Sequence, residues 1–295
     1  MFSGVYTALV TPYSKGKLDE TALKKLIEFQ VKGGVDGIVP VGTTGESPTV
    51  DFEEHVRIIE LSVYYAKGRC KIIAGSGANS TEEAVYLTKS AEYAGADGSL
   101  QVCPYYNKPS QAGLYAHFSE IANSTNLPIV LYSIPSRCNV ELEVSTVVRL
   151  AGDCPNIVSI KEAGGNADRV SQLRGVLPRK FTILSGDDSL TLPFMAVGAQ
   201  GVISVAANLI PRQLTKMVHA YLKGDQKGSL KLHEKYYPLF RSLFIETNPT
   251  PVKAALAMMG FVKEEYRLPL VRMEPNNRRE LRDTLKNVGV LKKHG

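Results

Sequence analysis

The sequence predicts an α/β fold, a (β/α)8 TIM barrel with a C-terminal helical extension. Three features predict it: short β-branched runs recur, amphipathic stretches with helical spacing separate them, and after the last pair the strand pattern stops. The runs are Val5 to Val10, Gly37 to Val41, Lys71 to Gly75, Ser99 to Cys103, Pro128 to Ile134, Ile157 to Ile160, Phe181 to Leu184 and Gly201 to Val205. Strands that alternate with helices pair in parallel, and eight such units in about 220 residues have the size of a closed barrel.

The elements follow in order. The first run starts directly after Met1-Phe2-Ser3, so no signal peptide is expected. The stretches TALKKLIEFQVKGG and TEEAVYLTKSAEYAG are amphipathic and finish in glycine. In the second, Ser80 offers a helix N-cap, with Glu82 and Glu83 in the first turn where they favour the dipole. The later runs lead into polar ends: VGTTGES, CPYYNKPS, LYSIPSR, Lys161, LSGDD and ISVAAN. Residues 225–295 read as helices only, broken at Asn248-Pro249-Thr250-Pro251 and near Glu274-Pro275. The expected division is a barrel catalytic domain over 1–224 and a helical domain over 225–295. A doubly wound open sheet fits less well, because Gly75-Ser76-Gly77 lacks the third glycine and the acidic partner of a dinucleotide fingerprint.

Composition narrows the function. The 295 residues are 44% hydrophobic, enough for a large core. The net charge of +6, from 35 basic and 29 acidic residues, is scattered, and Lys292-Lys293-His294 reads as a solvated tail, so no nucleic-acid partner is expected. No apolar run reaches membrane length. Cys70, Cys103, Cys138 and Cys154 have no C-x-x-C spacing, which suits a reducing, cytoplasmic setting. Histidines 55, 117, 219, 233 and 294 show no ligand spacing, so no metal is expected.

In a barrel of this kind chemistry gathers at the C-terminal strand ends. Singly, a Gly-Thr turn, paired tyrosines, one arginine or a lysine closing a strand are ordinary features. Together they place an amine, tyrosine hydroxyls, an anion-cradling turn and a guanidinium around one mouth. A neutral amine attacks a ketone to give an imine, and apolar surroundings lower a lysine pKa by penalising the charged form. Lys161, at the end of an Ile-Val-Ser-Ile strand, has such surroundings. Tyr132, on the neighbouring strand, is placed to move the protons. Thr43-Thr44 suggests a carboxylate on the substrate, and a 2-keto acid fits. A non-catalytic sensor barrel would have no need for Lys161 together with Tyr132.

GTTGES, YYNKPS, LYSIPSR, IKEAGGN, LSGDD and GVISVAAN, in that order, resemble the dihydrodipicolinate synthases, in the pyruvate-dependent class I aldolase superfamily that also holds N-acetylneuraminate lyase. The resemblance runs from about residue 2 to beyond 260 and includes NPTPVK. It implies condensation of pyruvate with L-aspartate 4-semialdehyde on the diaminopimelate route to lysine. It makes Lys161 the Schiff-base residue and needs no metal or organic cofactor. It makes Tyr132 the general acid/base, with Thr43 and Tyr106 continuing a proton relay and Tyr106 reaching in from a partner subunit. Thr44, Gly186 and Ile203 would line the pyruvate site. Arg137 would hold the second carboxylate, which its bidentate fork suits better than a lysine. Ser133 and the SRCN stretch, with Cys138 and Asn139, depart from the commoner pattern. An inhibitory lysine site would take Ser47, Pro48, Phe52, His55, Asn79, Glu83 and Tyr105, with Glu83 pairing with the ammonium. At least a homodimer, commonly a homotetramer, is implied.

Overall fold

A computed structural model describes residues 2–292, so Lys293 and His294 of the expected basic tail lie outside the described residues. Eight parallel strands close into a barrel: β1 Gly4–Ala8, β2 Gly37–Val39, β3 Lys71–Gly75, β4 Gly98–Val102, β5 Ile129–Ser133, β6 Ile157–Glu162, β7 Thr182–Ser185 and β8 Gly201–Ser204. Closure is seen at β1, which pairs in parallel with both β8 and β2. Helices follow the strands in turn: α1 Glu20–Gly33, α2 Phe52–Ala66, α3 Thr81–Tyr93, α4 Gln111–Asn123, α5 Val144–Asp153, α6 Ala167–Val176, α7 Thr191–Ala196 and α8 Pro211–Leu222.

Local chemistry explains the helix ends. Asp19 accepts from the Ala22 amide at the start of α1, and Gly34, at φ 79°, closes it in the left-handed conformation that suits glycine. Ser80 caps α3 through the Glu83 amide, as its sequence predicts. Pro211 opens α8, where the missing amide hydrogen costs nothing.

Strand limits differ from the sequence reading by at most two residues, and Lys71–Gly75 matches it at both ends. The largest consequence falls on β6, which runs past Ile160 to Glu162 because its ladder continues: Lys161 pairs with Tyr132 on one side and Leu184 on the other. Lys161 is therefore held inside a strand. A small hairpin, Tyr13–Ser14 with Lys17–Leu18, was not legible beforehand, since two-residue strands carry no periodicity.

Two apolar clusters make the core. The barrel interior holds Phe2, Tyr6, Ala8, Val39, Ile73, Leu100, Val130, Tyr132, Leu184 and Ile203. Phe2 and Tyr6 meet edge to face at 5.9 Å near the N-terminal strand ends. The larger cluster lies between strands and helices and extends without a break into α9 Gln226–Ser242, α10 Thr250–Met258 and α11 Pro275–Asn287, through Leu239, Phe240, Val252, Leu256, Leu281 and Leu285. Among the described residues no helix is long and apolar enough to cross a membrane. All four cysteines are free thiols.

Candidate active site

Parallel pairing of β5 with β6 sets Tyr132 directly opposite Lys161, and the lysine Nζ lies 4.0 Å from the tyrosine ring centroid. Lys161 is 6% exposed. Burial first, and then the Arg137 charge, pulls its pKa from 10.5 down to about 7, against the opposing pull of Asp188. A large neutral fraction is thus present near neutral pH. Burial pushes the Tyr132 phenol above its usual range, with Arg137 and a hydrogen bond to Thr43 offsetting part of the rise. Tyr132 therefore keeps its proton and can donate it.

Gly186 makes room for the amine. A Cβ there would lie 2.6 Å from the Ala163 Cβ and 3.1 Å from the Lys161 Cε, so a side chain would press on the reactive arm. The VGTTGES turn does not take its sharpness from its first glycine. Gly42 has an ordinary extended conformation, φ −83°, and the left-handed positions are Val41 at φ 50° and Glu46 at φ 60°. Glu46 tolerates this because its carboxylate is anchored by Lys253 and by the Arg267 amide. Gly45 is needed for close approach, since a Cβ would sit 3.2 Å from the Leu9 carbonyl oxygen.

Thr43, Thr44, Tyr132, Arg137, Lys161, Gly186 and Ile203 line one inner chamber of about 40 Å³. It opens at Arg137 and Gly186 into an outer chamber of about 650 Å³. Tyr106 is not brought in: it stands 93% exposed at φ 74° and lines neither chamber.

Whole-chain comparisons show the family. The model of the dihydrodipicolinate synthetase family matches residues 1–288. The chain belongs to the dihydrodipicolinate synthetase family. A 4-hydroxy-tetrahydrodipicolinate synthase of Aquifex aeolicus is 51% identical over 98% of this chain and 99% of its own. The solved structure of the same-named enzyme from Methylacidiphilum fumariolicum SolV superposes with a TM-score of 0.97 at 55% identity, covering 98% of this chain and 96% of that one. A dihydrodipicolinate synthase from Cyanidioschyzon merolae, solved with lysine bound, superposes with a TM-score of 0.96 at 40% identity, covering 98% and 99%.

In this dihydrodipicolinate synthetase-family chain a second cavity, of about 350 Å³, is lined by all seven residues of the expected lysine site: Ser47, Pro48, Phe52, His55, Asn79, Glu83 and Tyr105. Helices α2 and α3 carry His55 and Glu83 to it. His55 Nε2 lies 2.8 Å from the Gly75 carbonyl oxygen, and burial takes its pKa down to about 4. The ring is then neutral, Nε2 donates to Gly75, and Nδ1 is left as an acceptor.

The site also holds residues that the sequence did not single out. Asp188 is 1% exposed and accepts from the Ser204 hydroxyl and from the Val205 and Ala206 amides at 3.1 and 2.9 Å. Burial raises its pKa to about 6, and its carboxylate favours the charged form of Lys161. Phe244 and Asn248, from the C-terminal helical segment, line both chambers. For Asp188 the signal was the LSGDD strand end, and for Asn248 the NPTPVK segment. Phe244 carried none. Among the described residues no three His, Cys, Asp or Glu side chains gather as a metal would require.

Proposed function

We propose that this chain is a lyase that condenses pyruvate with L-aspartate 4-semialdehyde to 4-hydroxy-tetrahydrodipicolinate, through an imine on Lys161. The observation that carries the reading is a buried strand lysine whose pKa lies near 7, with a protonated tyrosine across the ladder and a guanidinium at the mouth. The neutral Lys161 nitrogen adds to C2 of pyruvate. It gives up both its protons by way of Tyr132 and Thr43, and the ketone oxygen leaves as water. Tyr132 next hands its proton to the imine nitrogen, and the tyrosinate oxygen takes one from C3 to leave the enamine; the enamine carbon attacks the aldehyde, whose oxygen takes the proton from Tyr132 as a hydroxyl, and the tyrosinate recovers a proton from nitrogen at ring closure. Last, the amino nitrogen of the second substrate adds to C2 and expels the Lys161 nitrogen, closing a six-membered ring and restoring the amine. No metal or organic cofactor has a step in this sequence.

Arg137 holds the carboxylate of aspartate semialdehyde, and Thr44, Gly186 and Ile203 shape the pyruvate chamber. Tyr106 completes the proton relay from a partner subunit. Exposed Phe52, Tyr64, Tyr86, Tyr93 and Tyr106, with the Phe52 and Tyr86 rings meeting edge to face at 5.8 Å, support a homo-oligomer, at least a dimer. A tetramer is the commoner form that the sequence resemblance implies. Free lysine binds the second cavity, its ammonium against Glu83, and inhibits the enzyme.

The test is borohydride reduction with pyruvate, followed by a coupled turnover assay with both substrates. A covalent mass increase on the Lys161 peptide and pyruvate-dependent turnover are expected. A mass increase that survives Lys161→Ala would move the nucleophile elsewhere. For the inhibitor site, turnover should fall at millimolar lysine and recover in Glu83→Gln. Unchanged activity at that concentration would refute the inhibition.

A further inference from the structure

The residue of the site that is least accounted for is Asn248. It is 5% exposed and lines both chambers, next to Lys161, Tyr132 and Arg137. Its backbone oxygen accepts from Arg137 Nη2 at 3.0 Å, and its Nδ2 donates to Thr44 Oγ1 at 3.0 Å. Its Oδ1 is buried with no hydrogen-bond partner among the described residues. An unpaired buried amide oxygen costs folding free energy, so one kept beside reacting groups points to a donor that arrives with the ligand.

The chemistry of the substrates says which donor. Pyruvate has only acceptors. Aspartate semialdehyde presents a carboxylate and an aldehyde oxygen, both acceptors, and one donor, its amino group. The two carboxylates at the mouth line only the outer chamber and are half-buried, so the oxygen each leaves free can be met by water, while Asp187 Oδ1 accepts from the Ser189 amide and hydroxyl at 2.8 Å and Glu246 Oε1 from the Glu274 amide and Asn277 Nδ2. The geometry also matches an α-amino acid. Its amino and carboxylate groups share one carbon, and the guanidinium expected to take the carboxylate is bonded to the backbone of the residue that carries the free acceptor.

We infer that Asn248 is a specificity-determining residue for the second substrate: its Oδ1 accepts a hydrogen bond from the amino group of aspartate semialdehyde while Arg137 holds the carboxylate. This rests on the reaction proposed above. The contact holds the nitrogen on the side of the chamber that Lys161 lines, where ring closure needs it.

The test compares aspartate semialdehyde with succinate semialdehyde, which has the same aldehyde and carboxylate but hydrogen in place of the amino group. Each is added to enzyme loaded with pyruvate, and the aldol adduct on Lys161 is read by mass after borohydride reduction. In Asn248→Ala the half-saturating concentration of aspartate semialdehyde should rise about tenfold or more, while that of succinate semialdehyde stays within about a factor of three of the unaltered enzyme. If the alanine variant fails to trap pyruvate, Asn248→Ser takes its place. An equal loss for both aldehydes would overturn the inference, since Asn248 would then act only through Thr44 and Arg137. Selective loss in Asp187→Asn and none at position 248 would overturn it in favour of Asp187. No aldol adduct from either aldehyde on the unaltered enzyme would instead overturn the reaction itself.

Discussion

Lys161 trades stability for reactivity. The folded chain holds its amine at a pKa of about 7 against an ordinary 10.5, with burial the main cause. Protonated amine is no nucleophile, so the rate of pyruvate imine formation should climb as pH rises through about 7 and then level; stopped-flow trapping across pH 5.5 to 9 checks this. The effect on stability follows from the same shift. Between about 7 and 10.5 the unfolded chain binds the proton that the folded chain has lost, so stability rises with pH across that window. The lysine's cost is full below about pH 7 and fades toward 10.5. Lys161→Met should therefore raise stability at pH 6 by roughly 2–5 kcal/mol while abolishing the adduct, and the gain should shrink by pH 10. Arg137→Ala should leave the pyruvate adduct intact and weaken the second substrate about tenfold or more, because a charge-assisted bidentate contact is lost.

At the scale of the element, β6 is held in register at its catalytic end by a buried ion pair. Glu162, fully buried, accepts from Arg169 Nε of α6 at 2.8 Å and from the Gly164 amide at 2.8 Å, and Arg169 also donates to the Leu142 carbonyl. Burial still raises the Glu162 pKa, with the guanidinium the chief offset. Removing one partner strands the other charge in the core. Arg169→Met should cost about 3–5 kcal/mol in urea unfolding, and adding Glu162→Gln should recover part of the loss. Since Lys161 directly precedes Glu162 in the chain, the pair also fixes where the amine stands.

The whole molecule joins what the sequence pattern divides near residue 224. The apolar core runs from the barrel into α9, α10 and α11, and Lys253 of α10 reaches the Glu46 carboxylate beneath the VGTTGES turn, both side chains fully buried. Arg267, further along, binds the Glu54 carboxylate and the Thr49 carbonyl. With so much apolar and ionic contact across the boundary, calorimetry should show one cooperative transition in place of two. Two separated transitions would mean that the helical segment unfolds alone.

The sequence by itself determined the barrel and the proposed reactive groups. Alternation of β-branched and amphipathic stretches leaves parallel pairing as the way to bury both, and the strand ends then carry Lys161, Tyr132, Thr43, Thr44 and Arg137 to one mouth. These groups are local: each sits in a short motif at the end of a run. The tertiary structure alone decided what lies between such motifs. Packing of the helical segment over the mouth brings Asn248 onto Arg137 and Thr44. Folding sets Asp188 against Lys161, turns Tyr106 outward, and puts the left-handed backbone of the turn at Val41 and Glu46. Periodicity reports which face of an element is buried, and it carries no information about which distant side chain arrives to meet it.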